Sequence, residues 1–259
     1  MSLKQLLSVE GKTVLITGGS RGLGLQIAEG FGEMGAHVVL SARKAGELEE
    51  AAAHLKTLGI EARTIVNDLV QYDTLPELVA QAKGWKGQID VLVNNAGAAW
   101  GAPAEDHSAE AWHKIVDLNL NALFRLTQIV ARECMIPRRE GKIINISSIA
   151  GLRSIMPRAT RKSTVAYDAS KAAVIALTRS LATEWGRYNI NVNGIAPGPF
   201  PSGMNRLGNE WEAELKAAIP LGRVGGPEDL KGAAVFLASE ASRFVQGHTI
   251  VVDGGRTIC

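Results

Sequence analysis

Cysteine is scarce in this 259-residue chain, which has only Cys134 and Cys259. Two cysteines make neither a disulfide framework nor a metal cluster, and Cys134, in a helical stretch, reads as an inert core residue. The five histidines, at 37, 54, 107, 113 and 248, are scattered without metal-ligand spacing. Charge of one sign is also lacking: 28 basic and 26 acidic residues leave a formal net charge of +2. That balance gives no general case for nucleic acid or an anionic membrane as partner. No apolar run approaches the roughly 18 residues of a membrane span, and the first residues lack a signal peptide's apolar core. A soluble, cytoplasmic protein is expected. No Pro/Ser-rich linker, charge block or low-complexity run interrupts the chain, so residues 1–259 are expected to form a single domain. Hydrophobic residues make up 46% of it, enough for a substantial core.

Short apolar runs bounded by turn residues occur at 13–17, 37–41, 62–66, 90–94, 142–146, 189–195 and 249–252. Most are rich in Val and Ile and apolar on both faces, as buried parallel strands are. Longer stretches with helical spacing lie between them, at 22–33, 47–58, 109–133 and 167–185. The alternation predicts an α/β fold of the Rossmann type, a doubly wound seven-stranded parallel sheet with helices on both faces. Ligands on such sheets bind at the carboxyl ends of the strands, where the strand order reverses.

Chemistry-bearing residues cluster at those ends. After the first strand comes Thr17-Gly18-Gly19-Ser20-Arg21-Gly22-Leu23-Gly24. Glycines at 18, 22 and 24 let backbone approach a pyrophosphate closely and pack the next helix on the sheet, whose N-terminus favours anions. Downstream stand Ser148, Tyr167 and Lys171. Tyr167 and Lys171, four apart, share one helix face. An ammonium beside a phenol favours the phenolate and is expected to lower its pKa. Together these features point to carbonyl/alcohol redox chemistry with a nicotinamide cofactor. From chemistry alone, either Ser147 or Ser148 can be the active serine.

The order and wording of these motifs resemble the short-chain dehydrogenase/reductase family, from about Gly11 to Gly255. The likeness also takes in Asn94-Asn95-Ala96-Gly97, Asn119, Asn145-Ile146-Ser147-Ser148, Pro197-Gly198 and Val251-Val252-Asp253-Gly254-Gly255. It implies strand order 3-2-1-4-5-6-7 and selects Ser148 over Ser147. By the resemblance Ser148 hydrogen-bonds the substrate carbonyl, and Tyr167 donates the proton during reduction. Lys171 lowers the tyrosine pKa and holds the nicotinamide ribose, while Asn119 orders a water linking Lys171 to solvent. Cofactor contacts are implied for Gly18, Ser20, Arg21, Gly22, Leu23 and Gly24, and for Ser41 beside Arg43. Further ones fall on Asp68 and Leu69, on Asn95, Ala96 and Gly97, on Tyr167 and Lys171, and on Pro197, Gly198, Phe200 and Ser202. Asp68 can equally cap the next helix, Asn95 and Gly97 can simply make a turn, and Phe200 can equally be core. Ser202 stands where the family usually has threonine.

Strand 2 ends Leu40-Ser41-Ala42-Arg43-Lys44 without an acid to bond the ribose hydroxyl of NAD. Arg43 offers a planar fork suited to phosphate, and Arg21 adds a second cation. NADP(H) is therefore the expected cofactor. Ser148 and Tyr167 lie further apart than is common in the family. The extra residues fall in 153–164, which carries four cations: Arg153, Arg158, Arg161 and Lys162. That segment either attracts an anionic substrate, such as a sugar acid or an acyl thioester, or is a solvated loop. Trp100 either lines the same mouth or packs a loop.

The expected activity is NADPH-dependent reduction of a ketone, with 3-oxoacyl thioesters slightly ahead of sugar ketones of the gluconate 5-dehydrogenase type. A reading from another class is an NADP-binding regulatory protein without turnover. The resemblance further implies a homo-oligomer, tetramer or dimer, built on the helices at 109–133 and 167–185 and on the C-terminal strand.

Overall fold

Successive residues of a strand point to opposite faces of its sheet, and in β1 (Thr13–Thr17) all five are buried. Val14 and Ile16 belong to one apolar core and Leu15 to a second on the other face. A strand covered on both sides is what a parallel sheet with helices on each face requires. The computed structural model describes residues 1–154, 163–201, 213 and 215–259. Its strands are β1, β2 (His37–Ala42), β3 (Ala62–Val66), β4 (Val91–Asn94), β5 (Gly141–Ile146), β6 (Ile190–Pro197) and β7 (Thr249–Val252). They form one seven-stranded sheet in the order β3-β2-β1-β4-β5-β6-β7, every neighbouring pair parallel.

The α-helices whose bounds lie within the described residues are α1 (Leu3–Leu6), α2 (Gly22–Glu33), α3 (Ala45–Thr57), α4 (Leu75–Lys86), α5 (Ala109–Val116), α6 (Leu123–Val130), α7 (Val165–Trp185) and α8 (Lys231–Ala238). Ile27 and Phe31 of α2, Leu48 and Leu55 of α3 and Leu237 of α8 fill one core with Val14, Ile16, Val38 and Leu40. Leu78 and Val79 of α4, Leu126 and Val130 of α6 and Leu181 of α7 fill the other with Leu15, Val39 and Leu92. Each fully buried side chain of this size contributes roughly 1.5–3 kcal/mol. Phe31→Ala, at a site with no exposure, would cost about 3–5 kcal/mol.

Register brings the strand ends level. Thr17 pairs with Ser41, Asn94 with Asn145 and Pro197 with Val252, so residues just past these positions form one crest. The order reverses between β1 and β4, which opens a cleft there. The expected helix at 109–133 differs in detail: π-helical turns at Asp117–Ala122 and Ala131–Met135 interrupt it. Apolar periodicity barely registers such bulges, which are frequent at functional sites. Among the described residues, no helix is long and apolar enough to cross a membrane.

Candidate active site

The glycine turn is latched to the end of β4. Thr17 Oγ1 accepts from the N–H groups of Asn95 (3.0 Å) and Ala96 (3.1 Å). Asn95 Nδ2 donates back to the carbonyls of Thr17 (2.9 Å) and Gly18 (3.0 Å). Gly18 has φ of 63°, and a Cβ there would stand 2.9 Å from Ala96 Cα; glycine meets both demands. Gly24, read as serving both the pyrophosphate and the packing of the helix, is not among the residues that line the cleft. A Cβ on it would overlap Gly18 O and Asn95 Nδ2, so its role is close packing of α2. Gly18, Ser20, Arg21, Gly22 and Leu23 do line the cleft, as do Asn95, Ala96 and Gly97 across it.

Past β2 the cleft is lined by Ser41, Arg43, Lys44 and Glu47, and past β3 by Asn67, Asp68 and Leu69. Ser41 Oγ and Asn67 Oδ1 are buried without a hydrogen-bond partner, the kind of orphaned polar group a ligand can satisfy. Asp68 Oδ1 also accepts weakly from Val70 N (3.4 Å), a local turn contact, and the next helical turn and α4 start instead at Gln71 and Thr74. Strand 2 ends without an acid, yet the first turn of α3 brings the Glu47 carboxylate into the same pocket. Lys44 Nζ donates to Oε1 (2.7 Å), and Ser20 Oγ (3.3 Å) and Arg21 Nε (3.7 Å) approach Oε2. The lysine bond is the main reason the Glu47 carboxyl lies below its ordinary range. Sequence reasoning passed over Lys44 and Glu47; their spacing of three at a helix start was the available signal.

The crest beyond β5 carries the proposed chemistry. Ser147 Oγ donates to Lys171 O (2.7 Å) and is buried, which commits that hydroxyl to structure. Ser148 starts a short 3₁₀ turn, its Oγ accepting from Ala150 N (3.1 Å), and its hydroxyl pulls the pKa of the Tyr167 phenol down. With the Ser147 hydroxyl so committed, Ser148 remains the candidate of the two. Lys171 is 4% exposed, its Nζ donates to Ile146 O (2.8 Å) and lies 5.7 Å from the Tyr167 ring centre. Burial pushes this ammonium down to about 8. The lowered tyrosine does not appear in this geometry: burial outweighs the Ser148 hydrogen bond and pushes the Tyr167 phenol up. The ammonium is aimed at a main-chain carbonyl rather than at the phenol.

Asn119 is fully buried in the first π-helical turn and does not line the cleft. Its Oδ1 accepts from Ala98 N (2.8 Å), and its Nδ2 donates to Ala98 O (3.0 Å) and Ser170 Oγ (3.0 Å). A Cβ at Gly97 would stand 3.2 Å from Asn119 Oδ1 and 3.5 Å from Lys171 Nζ, so Asn119 abuts the lysine's surroundings. Pro197, Gly198 and Phe200 close the far wall, and Phe200 is also core, 4% exposed. Ser202 lies outside the described residues, as do Arg158, Arg161 and Lys162 of the basic segment. The described ends of that segment are tied down: Arg153 Nη1 donates to Cys259 O (2.6 Å), and Ser163 forms a two-residue bridge with Ala102. Trp100 is 43% exposed and stacks edge-on against His107; it is not part of the cleft wall.

A switch-point cleft with a glycine-turn floor, cations at one end and a Ser-Tyr-Lys group at the other defines a dinucleotide-dependent oxidoreductase. A family profile described as Enoyl-(Acyl carrier protein) reductase matches residues 18–257. The chain is 41% identical to a gluconate 5-dehydrogenase of Gluconobacter oxydans, covering 100% of this chain and 99% of the relative. It is 38% identical to a rhamnolipid-biosynthesis 3-oxoacyl-[acyl-carrier-protein] reductase of Pseudomonas aeruginosa, over 96% of each. Among solved structures, a gluconate 5-dehydrogenase from Burkholderia cenocepacia in complex with NADP and tartrate superposes with a TM-score of 0.92 at 36% identity, covering 100% of both chains. The chain belongs to the short-chain dehydrogenase/reductase family and is an oxidoreductase acting on CH–OH/C=O groups.

Proposed function

We propose that the protein is an NADP(H)-dependent reductase of a keto sugar acid, of the gluconate 5-dehydrogenase kind, with residues 1–259 acting as one catalytic unit. Full-length similarity to a gluconate 5-dehydrogenase carries the substrate class, which reverses the slight preference for 3-oxoacyl thioesters drawn from sequence. The cleft supports the cofactor: a close-approach floor at Gly18, orphaned polar groups at Ser41 and Asn67, and Arg21, Arg43 and Lys44 where a 2′-phosphate would lie.

The cofactor, when bound, supplies the hydride that adds to the carbonyl carbon. Everything else falls to this chain. Gly18, Ser20, Gly22 and Leu23 bind the pyrophosphate with Ala96 and Gly97 opposite, while Asp68 and Leu69 flank the adenine. Ser148 donates to the carbonyl oxygen and Tyr167 gives that oxygen its proton, leaving a neutral alcohol and a phenolate. A phenol held above its ordinary pKa is protonated near neutrality, as a donor in the reductive direction must be. Lys171 remains mostly charged at pH 7 and stabilises the phenolate that forms; Asn119 positions the wall beside it. Ser202 extends the nicotinamide wall in this reading. Homo-oligomerisation belongs to the same reading, supported by β7, paired on one side only among the described residues and carrying exposed Val251, and by fully exposed Phe244.

The test is NADPH oxidation by the purified protein with 5-ketogluconate and, in parallel, a 3-oxoacyl thioester. Turnover of the keto acid is expected. Thioester turnover without keto-acid turnover would replace it with the reductase reading that the Pseudomonas relative represents. NADPH binding without turnover of any ketone would leave a cofactor-sensing protein.

A further inference from the structure

Three cations line the ribose end of the cleft, but two are already engaged. Glu47 takes Lys44 Nζ on one carboxylate oxygen at 2.7 Å and draws Ser20 Oγ (3.3 Å) and Arg21 Nε (3.7 Å) to the other. Arg43 lines the same pocket and forms no ion pair with an acid among the described residues. A carboxylate presents acceptor oxygens much as a phosphate does, and each cation that bonds one is drawn away from the other. Asp68 also lines the pocket and is its second acid.

We propose that Glu47 is a specificity-determining residue of this pocket, an internal anion that occupies the donors a 2′-phosphate needs. It thereby holds the preference for NADP(H) over NAD(H) below what Arg21, Arg43 and Lys44 would set by themselves. The proposal rests on reading the cleft as a nicotinamide-dinucleotide site. Two physical effects act in the same direction. Like charges at this range repel, so Glu47 opposes the phosphate. A ribose 2′-hydroxyl is a donor, so Glu47 can accept from it and favour the unphosphorylated cofactor. The side chains of Lys44 and Arg21 are each 67% exposed. Exposed pairs of that kind are weakly held, which lets both cations swing from Glu47 to an arriving phosphate. For Lys44 and Arg21, binding of NADP(H) is then an exchange of partners, while Arg43 meets the phosphate without one.

The opposite role for Glu47 is a strut that holds Lys44 and Arg21 in position for the phosphate, and it has the opposite sign. Equilibrium titration of the full chain with NADP⁺ and NAD⁺ distinguishes them. Glu47→Gln keeps the side chain's length and removes its charge. The ratio of the NAD⁺ to the NADP⁺ dissociation constant is expected to rise about tenfold, equivalent to about 1.4 kcal/mol. Glu47→Ala, folded as judged by circular dichroism and thermal melting, should shift the ratio the same way. An unchanged or lowered ratio in both variants overturns the proposal and makes Glu47 a strut. The two readings fail separately. Wild type that binds neither cofactor overturns the assignment of the cleft, and this proposal with it. Wild type that binds NADP⁺ and loses it on Arg43→Ala, with a ratio insensitive to Glu47, overturns the proposal alone.

Discussion

The two ends of the parallel sheet treat buried charge differently. At the amino-terminal end Arg138 Nη1 donates to Asp90 Oδ1 (2.8 Å), Nε to Cys134 O (2.8 Å) and Nη2 to Ile89 O (3.1 Å). Asp90 Oδ2 in turn accepts from Thr13 N (2.9 Å) and Gln88 Nε2 (3.1 Å). Lys142, 5% exposed, bonds Asn191 Oδ1 (2.8 Å) with Glu240 at 3.8 Å. Thr13 Oγ1 is the orphan of that end, but its charges are matched. At the carboxyl end Lys171 is equally buried and has only the Ile146 carbonyl, and at the surface beside it the exposed Arg21 and Lys44 share a single carboxylate. Both lysines are pushed down by burial, and a carboxylate pulls back only on Lys142. Matched buried charge holds strands in register; unmatched buried charge is costly in the fold and available to a ligand.

The sharpest break is expected at the carboxyl end. Tyr167→Phe keeps the ring and removes the proton, and turnover should fall about 10²–10⁴-fold with the melting temperature nearly unchanged. Near wild-type turnover in steady-state kinetics would remove Tyr167 from the chemistry. Next is the pH dependence carried by Lys171. Its folded pKa of about 8 lies below its ordinary 10.5, so between those values the unfolded chain binds more protons. Stability should therefore rise with pH across that window, by up to about 3 kcal/mol. Lys171→Met should lack the rise; urea unfolding of both proteins at several pH values measures the difference. A difference that is flat with pH would mean an ordinary lysine.

A smaller effect is expected from Arg43→Ala. It should weaken NADPH about 10- to 100-fold through loss of a charge-assisted bond while sparing NADH. Equal losses, by fluorescence titration, would place Arg43 outside the phosphate pocket. Smallest is Asp90→Asn at the matched end, which keeps the side chain's shape, removes its charge and turns one of its two acceptor oxygens into an N–H donor. Stability should drop by about 1 kcal/mol, with kcat and KM of the folded enzyme unchanged. A change in kcat would erase the division between the two ends.

Most of the frame was legible because its signals are local. Seven apolar runs located seven strands to within a residue or two, and turn residues marked their ends. The helix at 22–33 was placed at its observed bounds. The glycine turn was legible for the same reason, since close approach needs glycine at specific steps. Gly24 shows the limit: its spacing serves both a phosphate turn and helix packing, and only the structure shows its missing Cβ making room for Gly18 O and Asn95. The π-helical turns were not legible, because Asn119 is held by Ala98 and Ser170, partners distant in sequence.

By itself, then, the chain determined its sheet, its switch-point cleft and the residues gathered there, because periodicity, turns and helix faces act over a few residues. Tertiary structure alone decided what those residues do to one another. It buried the Tyr167 phenol, which raises rather than lowers its pKa, and turned the Lys171 ammonium toward Ile146 O. It gave Ser147 to Lys171 O and left Ser148 for the phenol. It carried Glu47 from the first turn of α3 into a pocket whose strand ends without an acid. Burial and charge pairing depend on neighbours brought together across the crest, and no local pattern in the sequence encodes those distances.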